Sequence, residues 1–129
     1  MATPERQISK QEEINAALQT LLEAVPVLRG VLVADNEGLP VAQSLPAELD
    51  SMRASAIAAT AQGLGKRIVE MLQTGTLTEV SVAGTEGMTF LYAAGSKCVL
   101  VVLAPSQTNV GLIHLESRDC AKKIARVIG

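Results

Sequence analysis

PVLRGVLVADNEGLPVA, residues 26–42, reads as a β-hairpin, and the rest of the chain arranges itself around it. Val31 to Ala34 is a short apolar strand, and Asp35-Asn36-Glu37-Gly38 follows as a turn. Asp and Asn tolerate turn geometry, and Gly38 can take the positive φ that a short hairpin loop requires. Leu39 to Ser44 returns as the second strand. Pro40 cannot donate to a ladder, so this strand is expected at a sheet edge. Upstream, Ser9 and Glu12 stand at capping-box spacing. Ile14, Leu18, Leu21, Leu22 and Val25 then form one apolar stripe at helical spacing, which Pro26 ends.

Downstream, about Ala47 to Gln73 reads as a long helix, with Asp50 and Ser51 as candidate caps and Gly75 closing it. Its composition is unusual. Ala54, Ser55, Ala56, Ala58, Ala59, Gly63 and Gly65 are small, while Met52, Ile57, Leu64, Ile68, Met71 and Leu72 are large and apolar. Each interior glycine costs about 1 kcal/mol against alanine, so close packing is the expected compensation. Three strands follow: Leu77 to Ala83, Met88 to Ala93, and Cys98 to Ala104. Short glycine-bearing turns join them into an antiparallel meander. Cys98-Val-Leu-Val-Val-Leu has no polar side, which predicts a central strand with helices on both faces of its sheet. Asn109 or Thr108 is placed to cap a last helix, Val110 to Val127.

Composition narrows the function classes. The chain has 129 residues, 48% hydrophobic and 19% charged, as expected of one domain with a sizeable core. Met1 to Gln7 has no periodicity and is expected to be a flexible tail, about residues 1–8 of a single domain spanning 1–129. A formal charge of −2 and only two aromatic residues, Phe90 and Tyr92, argue against a nucleic-acid partner. The longest apolar run, Cys98 to Ala104, is too short to insert in a membrane. Two cysteines make no disulfide framework, and a polar N-terminus carries no signal-peptide core, so the expected compartment is the cytoplasm.

No catalytic constellation assembles. Gly65-Lys66 is not a phosphate loop, because Thr60 stands where that motif needs glycine and Arg67 follows the lysine. His114 is the only histidine, with no nucleophile or carboxylate assigned beside it, and is expected to be structural. Cys98 and Cys120 fall on apolar surfaces and are expected in the core, with no metal or other cofactor site. Arg118, Lys122 and Arg126, at i, i+4 and i+8, are expected to form a solvated helix face.

The hairpin from Pro26 to Ala42, the small-residue helix after it, the strand trio and the closing helix resemble roadblock proteins, the dynein light chain family and its prokaryotic relatives. The resemblance covers about residues 10 to 127. It implies a non-enzymatic α/β/α sandwich around a five-stranded antiparallel sheet. It also implies a homodimer in which the third strands pair and the long second helices lie side by side. Prokaryotic members of the family often partner Ras-like small GTPases, and this chain resembles their stand-alone type.

Carried onto this sequence, the pairing strand is Leu77 to Ala83, including Glu79, Val80, Ser81 and Val82. Glu79 is the one charged guard on that edge. On the helix, Ser55, Ala59 and Gly63 repeat at i, i+4 and i+8 beside Ala54, Ala58 and Gln62, a spacing that lets two backbones approach. Small residues could equally let the helix sit close to its own sheet. Ala58→Glu or Ala59→Glu is expected to separate the two accounts by setting like charges against each other across a two-fold axis. Arg53, Gln62, Lys66 and Arg67 are expected outside the core, meeting a GTPase. Two function classes follow: a dimeric module that regulates a GTPase by preferring one arrangement of its switch loops, or a passive dimeric scaffold or sensor holding a peptide or small ligand.

Overall fold

The computed structural model describes residues 9–129, so the expected tail at residues 1–8 lies outside the described residues. Eight elements follow in chain order: α1 (Lys10–Ala24), β1 (Gly30–Asp35), β2 (Pro40–Ser44), α2 (Ser51–Met71), β3 (Glu79–Ala83), β4 (Gly87–Ala94), β5 (Cys98–Pro105) and α3 (Val110–Ile128). The strands form one antiparallel sheet in the order β2-β1-β5-β4-β3. The apolar strand β5 is central, and Pro40 lies on an edge, as their sequences require. β3 is the other edge.

Local chemistry sets the boundaries. Ser9 Oγ accepts the Glu12 amide at 3.1 Å, Asp50 Oδ1 accepts Met52 N at 2.9 Å, and Asn109 Oδ1 accepts Leu112 N at 3.0 Å. Each cap satisfies a donor that the first helical turn leaves free. In the hairpin turn, Asp35 Oδ1 accepts the amides of Glu37 and Leu39, and Gly38 has φ +83°.

Two expected boundaries move. α2 begins at Ser51 rather than Ala47, because Asp50 caps it from an extended conformation. It ends at Met71 rather than Gln73, since Gln73 enters the left-handed region at φ 56° before Gly75 does so at 101°. β3 starts at Glu79, leaving Leu77 in the connection before it.

The sheet is covered on both faces, giving an α/β/α sandwich, and the two cores are unequal. Val31, Val33, Phe90, Tyr92, Leu100 and Val102 point toward α1 and α3, where they meet Ile14, Leu18, Leu21, Ile113, Cys120 and Ile124. The alternate residues Leu32, Ala34, Leu91, Val99 and Val101 point toward α2, which contributes Ala58, Ala54 and Ala61. Period-two alternation thus divides β1, β4 and β5 between a thick core and a thin one. Both cysteines are buried and free. Burial pushes the Cys120 thiol up to about 12, which suits an inert core residue.

Candidate interaction face

The thin core follows from which side of α2 meets the sheet. Ser55, Ala58, Gln62 and Gly65 are its buried residues, all small except Gln62. Such a row lets the helix lie close to the strands. A Cβ placed on Gly65 would stand 2.9 Å from Val80 Cγ2 and 3.2 Å from Leu77 Cδ2, so any larger residue here forces Val80 to shift. Gly63 differs: a Cβ there would meet nothing within 4 Å. Close packing within the chain therefore compensates for one of the two helical glycines.

The large apolar residues of α2 stand outside. Ile57 is 70% exposed and Leu64 57%, and Met52, Ile68 and Met71 are also exposed. Ile57, Leu64, Ile68 and Met71 follow at i, i+7, i+11 and i+14, a stripe along one side of the helix. The Ile57 end of that side overlooks β3, since Ile57 and Val82 line the same apolar groove with Leu91 and Leu103. The groove has a volume of about 430 Å³. Val82 is itself 54% exposed, and among the described residues β3 pairs only with β4, leaving its outer edge without a strand. A bare strand edge and the Ile57 end of an apolar helix stripe thus adjoin.

The residues singled out from the sequence divide accordingly. Val82 and Ser81 are exposed, and Val80 and Leu77 are half-buried. Ala54 and Ala59 are half-buried, and Gly63 is exposed. Ser55 and Ala58 are buried against the chain's own sheet, so the single-chain account of small residues holds for them. Arg53, Lys66 and Arg67 are exposed as expected, with Arg53 Nε 3.6 Å from Asp50 Oδ2. Gln62 is not outside the core. It is 6% exposed, because its position on the helix falls on the sheet side with Ala58 and Gly65. The spacing of the exposed stripe Ile57, Leu64, Ile68 and Met71 is visible in the sequence, but spacing alone does not say which side of α2 meets the sheet.

Glu79 also departs from expectation. Glu79 lies opposite Tyr92 and points to the α3 side, where the Arg118 guanidinium bonds its carboxylate. Arg118 lies with Lys122 and Arg126 on the solvated face expected of them and from there tethers Glu79, which is therefore no free edge guard. His114 Nδ1 sits 3.9 Å from Glu79 Oε1 and shares a 2.7 Å hydrogen bond with the Tyr92 hydroxyl. Burial pushes that hydroxyl up to about 12, so it stays protonated at neutral pH. His114 is half-buried between Phe90 and Tyr92, in the structural role expected of it. With its carboxylate held inward, β3 keeps no unpaired charge on its edge.

The Thr78 hydroxyl, 2.6 Å from Glu79 Oε2, holds the Glu79 carboxyl below its ordinary value of 4.5; burial opposes this and Arg118 reinforces it. A carboxyl depressed on folding contributes stability above its unfolded value and loses it as pH falls through the folded one. Glu79→Gln is therefore expected to be less stable than the unmodified chain at pH 7. The gap between their thermal midpoints should close as pH is lowered below about 4.5, the ordinary range. A gap independent of pH would show that the charge of Glu79 contributes nothing.

Among the described residues no group of three or more His, Cys, Asp or Glu side chains could hold a metal ion, and no helix is long and apolar enough to cross a membrane. The model of the Roadblock/LC7 domain matches residues 14–104, from α1 through β5. The chain belongs to the Roadblock/LC7 domain family. An uncharacterized Methanocaldococcus jannaschii protein, MJ1340, is 33% identical over 97 residues, covering 75% of this chain and 84% of that protein. Among solved structures, Myxococcus xanthus MglB superposes with a TM-score of 0.82 at 17% identity, covering 99% of this chain and 92% of that one. A structure described as MglB with tetrameric arrangement gives 0.84 at 17% identity over 98% and 96% of the two chains. These structural likenesses extend through α3, beyond the stretch that the family model matches, and they establish the fold.

Proposed function

We propose that this Roadblock/LC7 domain is a non-enzymatic, cytoplasmic homodimeric module that regulates or scaffolds a Ras-like small GTPase. The observation that carries self-association is the uncovered stripe Ile57, Leu64, Ile68 and Met71, whose Ile57 end lies beside the unpaired edge of β3. Burying apolar area is the main favourable term in association, and a two-fold contact covers both copies of this patch at once. The tetrameric arrangement described for MglB is a precedent for self-association on this fold. The GTPase partner is what membership in the family suggests. The module would act by binding one arrangement of the switch loops more tightly than another, since a partner shifts a population only by differential affinity.

Arg53, Lys66 and Arg67 on the exposed surface of α2 are the residues proposed to meet that partner. Exposed charges chiefly steer encounters. Reversing Lys66 and Arg67 to Glu is expected to slow association with a cognate GTPase by about tenfold at low salt, with a smaller effect at high salt. Stopped-flow binding at two ionic strengths measures this, alongside a control in which the purified chain alone turns over no GTP. Unchanged association rates would place the partner surface elsewhere.

A further inference from the structure

The Tyr92 hydroxyl has two acceptors beside it. His114 Nδ1 stands 2.7 Å away. Ser117, fully buried and three residues further along α3, lies by the same hydroxyl, yet its Oγ makes no hydrogen bond among the described residues. Buried hydroxyls almost always find partners, so this one calls for an explanation. Tyr92 stays protonated at neutral pH and, with Ser117 unused, donates to Nδ1; a neutral His114 then carries its own proton on Nε2. Glu79 Oε1, 3.9 Å from Nδ1, meets no ring proton in that state, and its carboxylate is held by Arg118 and Thr78.

We infer that His114 is a proton-operated latch between α3 and β3, in which a proton taken up at Nδ1 reverses the bond with Tyr92 and turns the ring's charge on Glu79. Nδ1–H then donates to the Tyr92 oxygen, and the Tyr92 proton swings to Ser117 Oγ. No buried polar group loses a partner, and the unpaired hydroxyl gains one. The charged ring faces a carboxylate on the first residue of β3, so the proton adds an attraction at one end of the edge strand. The groups around the ring are Glu79 from β3, Tyr92 and Phe90 from β4, and Arg118 and Ser117 on its own helix. β5 and α1 meet α3 through apolar side chains such as Val102 and Leu21. Arg118 alone repels the charged ring. Its side chain is 50% exposed against 23% for His114 and 21% for Glu79, so water screens it more than it screens the attraction. Any bearing of the latch on self-association rests on β3 belonging to that face; the latch itself does not.

Hydrogen exchange of the β3 amides, corrected for the intrinsic rate, is compared at about pH 7.5 and about pH 5.5, either side of the ordinary histidine value of about 6.5. Protection in the unmodified chain is expected to rise by about threefold or more at the lower pH. His114→Gln can accept the Tyr92 hydroxyl but binds no proton, and it is expected to show the same protection at both. Glu79→Gln, which removes the charge that the ring faces, is expected to lose the rise as well. No rise in the unmodified chain overturns the proposal, and so does a full rise in either variant. Two protein concentrations separate the latch from burial between copies: a rise that appears only at the higher concentration belongs to self-association and overturns the latch. Nitrogen NMR of the unmodified chain checks the proton itself without a variant. Nδ1 is expected to be unprotonated at the higher pH and protonated at the lower, and an Nδ1–H ring at the higher pH overturns the proposal.

Discussion

Ile57→Glu is expected to convert the proposed dimer into a folded monomer. The side chain is 70% exposed in the single chain, so a carboxylate there stays hydrated and the fold loses little. In a two-fold contact the same substitution enters twice and places two carboxylates on the apolar stripe shared with Leu64 and Ile68. Interface hot spots of this kind contribute about 2–4 kcal/mol each, so the dissociation constant should rise by roughly a hundredfold or more. Sedimentation across a concentration series, with circular dichroism to establish folding, reads both effects. A variant that remains dimeric at the unmodified affinity would remove α2 from the interface.

Its neighbour is expected to behave in the opposite way. Ala58 is 4% exposed and packs in the thin core with Leu32, Leu91 and Val101. Ala58→Glu would drive a charge into that layer, with Ser55 and Gln62 as its polar neighbours on the buried side of α2. An uncompensated buried charge costs about 3–5 kcal/mol, a large part of a domain's total stability. The variant should be insoluble, or should melt roughly 10–20 °C below the unmodified chain, whatever its oligomeric state. Ala58→Glu is therefore a test of the fold and cannot discriminate the interface, as the sequence alone had suggested it would. A stable, folded Ala58→Glu protein would mean that α2 presents a different side to the sheet.

These two neighbours mark where sequence reading stops. The hairpin was legible because Asp35 and Gly38 have few other uses between two apolar runs. The edge position of β2 was legible because Pro40 lacks a donor, and the central position of β5 because Cys98 to Leu103 has no polar side. Ser9, Asp50 and Asn109 cap their helices as their side chains suggest. The orientation of α2 was not legible. Amphipathic periodicity assigns the large apolar residues to the core, whereas here Ile57 and Leu64 stand outside and Ser55, Ala58, Gln62 and Gly65 face the sheet. The inversion arises because a closely apposed helix has room only for small groups beneath it, and no single-chain rule assigns a cover to the large ones. The tether between Glu79 and Arg118 was equally hidden, since it joins residues 39 apart in the chain that meet only once α3 packs on the sheet.

The central claim, that the Ile57 side of α2 and the edge of β3 form the self-association face, is tested most directly by contacts between protomers. A sample is prepared from equal amounts of isotope-labelled and unlabelled chain, and isotope-filtered NMR records only cross-relaxation between different molecules. The account predicts intermolecular contacts at the methyl groups of Ile57, Leu64, Ile68 and Val82. Intermolecular contacts confined to α1 and α3, or none at all at high micromolar concentration, would contradict it.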